Sequence, residues 1–183
     1  QLAGIPCEWN GKEVRKHFWL VSPDYNLQRE VFQRLVDDLE QLKVRVDVNQ
    51  PQEGEWVLRI KDSGTEIITK SANQPNSFHS KALTGIGVDE FALVDDRLRR
   101  ERLIPRLTRG GASDPFMFMA GTFEGMGNPT ALFDLGQSTN DQGIASYAMS
   151  TWQNPVSFPD VTQETADWLT WYCHSLPDEK QLT

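Results

Sequence analysis

Apolar residues along the chain follow two periods, which predict strands and helices in alternation. HFWLVSP (17–23) is a short apolar run that predicts a buried strand ending at Ser-Pro. In 26–42, apolar residues recur three and four positions apart, which predicts an amphipathic helix capped by Asp24 or Asn26. The alternating patterns that follow predict a strand at 43–48 and two strands within 55–72, joined by a turn at 62–64.

The second half of the chain continues this alternation. Apolar runs at 82–88 and 115–122 predict two more strands, the first of them buried on both faces. The highly charged segment 95–107 predicts a helix that ends or kinks at Pro105. The remaining predicted elements are a glycine-rich loop with a short helix at 124–136, a strand at 146–155 and a last helix at 160–173. This order predicts an α/β fold, with a largely parallel sheet flanked by helices and an inserted β-hairpin.

Composition narrows the class of protein. The chain has 183 residues, enough for one domain with a sizeable core. Its net charge of −8 excludes a chain that is basic throughout, although a local basic patch could still bind nucleic acid. No stretch is long and apolar enough to span a bilayer. Cys7 and Cys173 lie far apart, which favours two reduced thiols over a disulfide, and the histidines are too scattered to suggest a zinc site.

The ends of the predicted strands carry the candidate chemistry, because ligands of parallel sheets bind at the carboxyl ends of the strands. In LTGIGVDEFALV (83–94), an apolar strand stops at two adjacent acids, Asp89 and Glu90, which are costly if buried and unpaired. This is the pattern of a Walker B element. Its first acid helps to hold a Mg²⁺ ion on a nucleotide, and its second orients or deprotonates the attacking water. Taken alone, the pattern also fits a solvated strand end.

The order of the surrounding motifs resembles the ATPase domain of phage terminase large subunits, the DNA-packaging motors. The resemblance covers about 17–173. The five similar segments, in chain order, are VSPDY (21–25), SANQPNSFHSK (71–81), GIGVDEF (85–91), AGTFEGMGN (120–128) and TWQNP (151–155). In the family these correspond to a Pro-containing strand end, a loop of the form S-x-N-x-x-x-x-RG, the acidic pair, a coupling motif and a closing Trp-x-Asn-Pro segment.

The resemblance implies a P-loop NTPase of the RecA/ASCE-like class, with ATP and Mg²⁺ as cofactors. Asp89 would bind the metal and Glu90 would activate water. Thr122 would couple the state of the γ-phosphate to movement, while Ser22 and Gly121 would lie at the nucleotide. The implied function is coupling of Mg-ATP hydrolysis to translocation of double-stranded DNA into a procapsid.

One departure from the family pattern is the phosphate-binding loop. No GxxxxGK[ST] motif occurs, and Glu13 follows Gly11-Lys12 where Ser or Thr would bind Mg²⁺. The family's P-loop lies a helix upstream of the 17–23 strand, so we expect it before residue 1. Residues 1–183 are then a partial ATPase domain, without the nuclease domain that usually follows, and inactive without the rest of the protein. A relative that lacks the P-loop is the alternative.

The second departure is His79-Ser80, where many relatives have Arg-Gly, an arginine that reaches the neighbouring subunit's nucleotide in some terminases. Lys81 could supply charge there, but not the planar fork of arginine. The arginine run that includes Arg97 and Arg100 favours a solvated helix face balanced by acids, with contact to DNA or a neighbouring subunit as the alternative.

By the same resemblance, the expected partners are double-stranded DNA, the portal protein, the small terminase subunit and further copies of the chain in a ring on the procapsid, with no membrane. The expected location is the cytoplasm of an infected or prophage-carrying bacterial host. Two other functions stay open from sequence alone. One is a helicase-like P-loop ATPase of another family, and the other is a non-catalytic, ATPase-like scaffold.

Overall fold

The computed structural model of the protein describes most of the sheet and its helices. The described residues are 7–9, 12–14, 16–78, 82–108, 115–122, 128–138, 143–148, 153 and 159–175. The chain divides into two compact units, Gln1–Pro129 and Thr130–Thr183. Among the described residues, no helix combines the length and apolar character needed to cross a bilayer.

The first unit contains eight described strands, which are β1 (Cys7–Trp9), β2 (Lys12–Val14), β3 (His17–Ser22), β4 (Val46–Asn49), β5 (Val57–Ile60), β6 (Glu66–Ser71), β7 (Gly85–Val88) and β8 (Phe116–Met119). Its helices are α1 (Tyr25–Gln41), α2 (Asp96–Leu98), a π-helical turn (Arg99–Leu103) and α3 (Ile104–Thr108), with short 3₁₀ turns at Pro75–Ser77 and Phe91–Leu93. Helix α4 (Asn128–Gln137) spans the boundary between the units, and α5 (Gln163–Ser175) lies in the second.

Six of the strands form one sheet in the order β4-β5-β6-β3-β7-β8. The four strands β6, β3, β7 and β8 run parallel, whereas β4 and β5 pair antiparallel with each other and β5 pairs antiparallel with β6. Strands β1 and β2 form a separate antiparallel pair. This architecture confirms the predicted α/β fold, its largely parallel sheet and its inserted β-hairpin.

The sheet has a buried core on each face. Alternation along β3 directs Trp19 and Val21 to one face, where they pack with Ile86 and with residues of α2 and the π-helical turn. On the other face, Phe32 and Val36 of α1 pack with residues of β5. Each large apolar side chain that is fully buried in this way contributes about 1.5–3 kcal/mol. The parallel strands are therefore held between helices, with their carboxyl ends at one edge.

Helix α1 matches its predicted range closely, and Asp24 is its N-cap. The Asp24 Oδ1 atom accepts hydrogen bonds from the backbone N–H groups of Asn26 at 2.7 Å and Leu27 at 3.1 Å. The alternation predicted a strand from residue 43, but β4 begins only at Val46. The reason is that Lys43 takes a positive φ of 58° just after the helix, which turns the chain before the strand starts.

The charged segment after β7 is helical, but it does not end at Pro105. It continues to Thr108, and a π-helical turn immediately precedes the proline. In that turn, the Ile104 N–H donates to the Arg99 carbonyl, five residues back. Proline has no N–H to give to the carbonyl four residues back, so a wider turn at this point lets the helix continue past it.

The last part of the described chain confirms two predicted helices and corrects one predicted strand. Helix α5 matches the predicted 160–173 segment, and α4 covers the short helix predicted in 124–136. Residues 146–148, however, are not in a strand, and most of the rest of the predicted strand lies outside the described residues. The Ser146 hydroxyl donates to the Phe133 carbonyl of α4 at 2.6 Å, and the Gln137 side chain donates to the Ser146 carbonyl at 2.6 Å. This segment therefore packs along a helix.

Candidate functional site

The register of the parallel strands aligns three of the predicted site segments at one edge of the sheet. Val21 pairs with Val88, and Val88 pairs with Met119. The residues that follow each strand therefore lie side by side, separated by the interstrand spacing of about 4.8 Å. Ser22, Asp89 and the segment before Gly121 form one row across the carboxyl edge.

At the end of β3, the polar groups are used by the protein itself. Ser22 is fully buried, and its hydroxyl donates to the Asp24 carbonyl at 2.5 Å. The Ser22 carbonyl accepts from the Ala72 N–H at 2.8 Å. The Ser71 hydroxyl donates to the Pro23 carbonyl at 3.1 Å. These bonds build the turn from β3 into α1, so the Ser22 side chain holds the shape of the turn.

At the end of β7, the chain carries one extra residue. The Ala120 N–H donates to the Val88 carbonyl at 2.9 Å, and the Ala120 carbonyl accepts from the Phe91 N–H at 3.0 Å. In a regular parallel ladder, that carbonyl would accept from residue 90. Glu90 is the extra residue, and it has the left-handed backbone conformation, with φ 47° and ψ 47°. The acidic pair thus sits in a one-residue bulge, a feature that often re-aims a side chain beside an active site.

The two carboxylates of this bulge are half-buried. Within the part of the chain that the structure describes, no hydrogen bond or ion pair joins the side chain of Asp89 or Glu90 to another residue. Partial contact with solvent reduces the cost of keeping two adjacent charges here. Both acids are therefore available to bind a ligand.

Gly121 and Thr122 follow β8 and are exposed. The backbone of Gly121 lies against that of Glu90 and Phe91. The Thr122 hydroxyl and the two carboxylates are oxygen ligands of the kind that Mg²⁺ prefers, and Mg²⁺ commonly binds one or two carboxylates together with substrate phosphates. No group of three or more His, Cys, Asp or Glu side chains that could hold a metal occurs among the described residues. The acidic pair is thus suited to a metal that a nucleotide also ligates.

The arginine run predicted as a candidate contact surface is paired within its own helical segment. Arg97 bonds Glu101 at 2.9 Å, and Asp96 bonds Arg99 at 2.7 Å and Arg100 at 2.5 Å. Partial burial acts to raise the pKa of Asp96, but the hydrogen bonds and charges of the two arginines outweigh it and hold that pKa below its usual value. The side chains of Arg97 and Arg100 are exposed, whereas those of Asp96 and Arg99 are largely buried. Contact of this segment with DNA or a neighbouring subunit stays a prediction. His79 and Lys81 lie outside the described residues.

Sequence reasoning missed a buried lysine near this edge. The Lys70 Nζ atom bonds the Glu55 carboxylate at 2.5 Å and the Ser77 carbonyl at 2.6 Å, and it lies 5.1 Å from the centre of the Trp19 ring. It thereby fastens the Pro75–Ser77 turn to β6. The only signal in the sequence was a lysine inside the strand EIITKS, after its initial glutamate and among apolar and hydroxyl-bearing residues. The left-handed Glu90 had no signal, since glutamate has no preference for that conformation.

Comparison with solved structures gives matches for this chain, whereas comparison with protein families and curated sequences does not. No protein-family model matches the chain, and the comparison with curated protein sequences gives no match. Among solved structures, the chain is similar to the large terminase ATPase domain of Thermus phage P74-26, with 19% identity and a TM-score of 0.61 over 91% of this chain and 73% of that one. An arginine-to-alanine variant of that domain gives 18% identity and a TM-score of 0.62 over 91% and 74%.

A partial match is the large terminase of another thermophilic bacteriophage in complex with ADP, which gives 16% identity and a TM-score of 0.44 over 58% of this chain and 26% of that one. The fold comparison therefore depends on the two Thermus phage structures. The sheet topology and these two matches show that the chain has the fold of the ATPase domain of phage large terminases.

Proposed function

We propose that this chain is part of the ATPase domain of a viral DNA-packaging terminase large subunit, which couples Mg-ATP hydrolysis to translocation of double-stranded DNA into the procapsid. The observation that carries the proposal is the acidic pair Asp89 and Glu90. It lies at the tip of a central parallel strand, in a left-handed bulge and without a partner among the described residues. The fold shared with phage terminase ATPase domains supports it.

The two acids have different roles in this proposal. Asp89 directly follows the strand and would hold Mg²⁺, which would supply positive charge to neutralise the charge that develops on the phosphates. Glu90 lies one residue further on, in the bulge, where its carboxylate accepts a proton from the water that attacks the γ-phosphorus. ADP and inorganic phosphate are the products. The adjacent strand-end residues Gly121 and Thr122 flank the pair from β8, and the Thr122 hydroxyl links the γ-phosphate to the segment that follows.

The proposal assigns the buried Ser22 hydroxyl to shaping the strand-to-helix turn beside the nucleotide, because that hydroxyl already donates to the Asp24 carbonyl. DNA, portal, small subunit and neighbouring copies of the chain are partners of the whole motor. The overall charge of −8 confines DNA contact to local patches. The candidate residues for contact with DNA or a neighbouring subunit remain His79, Lys81, Arg97 and Arg100. The proposed place of action is the cytoplasm of the bacterial host.

Replacing Glu90 by glutamine in the full-length protein tests this proposal. Glu90→Gln keeps the size of the side chain but removes the proton acceptor, so we expect ATP turnover to fall by about 10²–10⁴-fold. The Kd for ATP, measured with a fluorescent analogue, should stay within about twofold, because the groups that hold the phosphates are unchanged.

The matched control is Glu101→Gln, which changes an exposed glutamate paired only with Arg97 and should leave turnover unchanged. Unchanged hydrolysis in Glu90→Gln would remove Glu90 as the base. A full-length wild-type protein that binds ATP without hydrolysing it would favour the non-catalytic scaffold.

A further inference from the structure

Gly121 faces the backbone of the acidic bulge at a distance that is tighter than a side chain normally accepts. A Cβ atom at position 121 would lie 3.0 Å from the Phe91 nitrogen, 3.3 Å from the Glu90 Cα and 3.4 Å from the Glu90 carbonyl carbon. Carbon atoms in contact normally lie about 3.5–4.0 Å apart. These neighbours are backbone atoms, which cannot rotate aside as the end of a side chain can. Any residue other than glycine would therefore displace the bulge or the end of β8.

Glycine is favoured at position 121 because a side chain would press on the neighbouring backbone, and not because the backbone has a positive φ there. The described glycines with positive φ are Gly54, Gly64 and Gly143, and Gly121 is not among them. An alanine at 121 could therefore adopt the local backbone angles without strain. Its cost would arise at the contact with Glu90 and Phe91, so the effect of the substitution reports on that contact.

The contact acts on a residue whose conformation is already strained. A left-handed backbone in a residue other than glycine costs about 1–3 kcal/mol and persists only where the surrounding structure determines it. Here the surroundings are the two hydrogen bonds of Ala120 on either side of the acidic pair and the surface of Gly121 beneath Glu90. A shift of a few tenths of an ångström at this point changes the direction in which the Glu90 carboxylate leaves the backbone.

We infer that Gly121 is a positioning residue: by lacking a side chain, it lets the end of β8 support the left-handed Glu90 and so sets where that carboxylate points. This inference rests on the proposed function in one respect, the assignment of water activation to Glu90. It also means that the segment bearing Thr122 and the acid of β7 share a direct backbone contact.

Gly87 provides a matched control within the same sheet. It lies in β7, two residues before Asp89, and a Cβ atom there would meet only the Leu20 Cδ1 atom, at an ordinary 3.6 Å. Gly87→Ala therefore makes the same chemical change on the strand that carries the acidic pair, without pressing on the bulge.

The first experiment measures steady-state ATP hydrolysis by the full-length protein. We expect Gly121→Ala to lower kcat about tenfold, with KM within about twofold, because a small misplacement of a catalytic group slows the chemical step more than it weakens binding. Gly87→Ala should retain the wild-type kcat. Equal kcat values for the two variants would overturn the inference, whereas a fall confined to Gly121→Ala supports it.

The second experiment is a double-mutant cycle in which the melting temperature is measured. It needs no catalytic activity, so it remains informative if Gly121→Ala is less stable than the wild type. Glu90→Gly keeps the backbone atoms that a Cβ at position 121 would meet, but glycine adopts left-handed and other conformations freely, so the bulge can shift away from that Cβ at less cost. We expect Gly121→Ala to lower Tm by about 2–4 °C alone and by less than half as much in the Glu90→Gly background. An equal decrease in both backgrounds contradicts the inference. If Glu90→Gln keeps full turnover while the cycle shows coupling, the proposed function fails and the positioning contact stands.

Discussion

The carboxyl ends of β3 and β7 lie side by side, yet the polar groups at one end have partners within the protein and the carboxylates at the other do not, among the described residues. At the end of β3, the Ser22 hydroxyl, the Asp24 carboxylate and the neighbouring backbone groups all have partners within the protein. At the end of β7, the carboxylates of Asp89 and Glu90 have none among the described residues, and Glu90 is in a strained conformation. Both ends follow apolar strands and carry acids, so residue type alone does not separate them.

The difference between the two strand ends has an energetic basis. A polar group that has an internal partner contributes about 0.5–1.5 kcal/mol to stability, whereas an unpaired buried group costs about 1–3 kcal/mol. The end of β3 therefore strengthens the fold, whereas the half-buried carboxylates at the end of β7 add no such bonds and depend on solvent or a ligand for partners. Substitutions at the two ends should accordingly affect different measurements.

The largest expected effect in this comparison is at Asp89. Asp89→Asn removes a charged oxygen ligand from the proposed metal position, so we expect ATP turnover to fall by about 100-fold at fixed Mg²⁺ and to recover in part at higher Mg²⁺. The melting temperature should stay the same or rise slightly, because one of two adjacent charges is lost. Titration of hydrolysis with Mg²⁺, together with thermal unfolding, checks both points.

The control for this experiment is Asp24→Asn at the neighbouring strand end. Asparagine caps helices as well as aspartate does, so this variant should match the wild type in both turnover and stability. A similar loss of turnover in both variants would show that the two strand ends do not differ as we describe.

A smaller effect, and one on stability, is expected at Ser22. Ser22→Ala removes the donor to the Asp24 carbonyl and should cost about 1 kcal/mol, or about 2–4 °C in Tm. Because that hydroxyl bonds within the chain, kcat and KM for ATP should not change. Ser138→Ala is the control, since its hydroxyl makes a similar bond to the Leu135 carbonyl on an exposed helix end and should cost less. A rise in KM in Ser22→Ala would instead support direct contact with the nucleotide.

The smallest effect is expected at Asp96 in α2, which is paired with Arg99 and Arg100. Its pKa is lowered on folding, so the pairing stabilises the protein above the unfolded-state pKa of about 3.9, and this stability is lost as pH falls through the lower folded pKa. At pH 7, Asp96→Asn should lower the free energy of unfolding by under about 1 kcal/mol and so lower Tm slightly. The difference in Tm between Asp96→Asn and the wild type should vanish once the pH is below the folded-state pKa of Asp96. A difference that stays constant from pH 7 to pH 3 would assign the effect to packing and not to charge.

Much of the fold could be predicted from local patterns. The period of α1, the apolar runs of β3 and β7 and the turn between β5 and β6 are properties of adjacent residues, and each was found close to its predicted place. The errors occurred where distant contacts or backbone details decide. Of the two outcomes predicted at Pro105, an end of the helix did not occur, because a π-helical turn precedes the proline, and Ser146 bonded to α4 in place of a sheet.

The sequence by itself determined the α/β class, the order of the elements and the acidic pair as the leading candidate for chemistry, because these depend on periodicity and on neighbours along the chain. Only the tertiary structure decided that Ser22 is bonded within the fold, that Glu90 adopts a left-handed bulge and that Gly121 lies beneath it. The physical reason is that the bulge and its contact with Gly121 arise from the packing of strand ends about thirty residues apart, while the Ser22 bond depends on how β3 turns into α1. No local preference for glutamate or glycine encodes that packing.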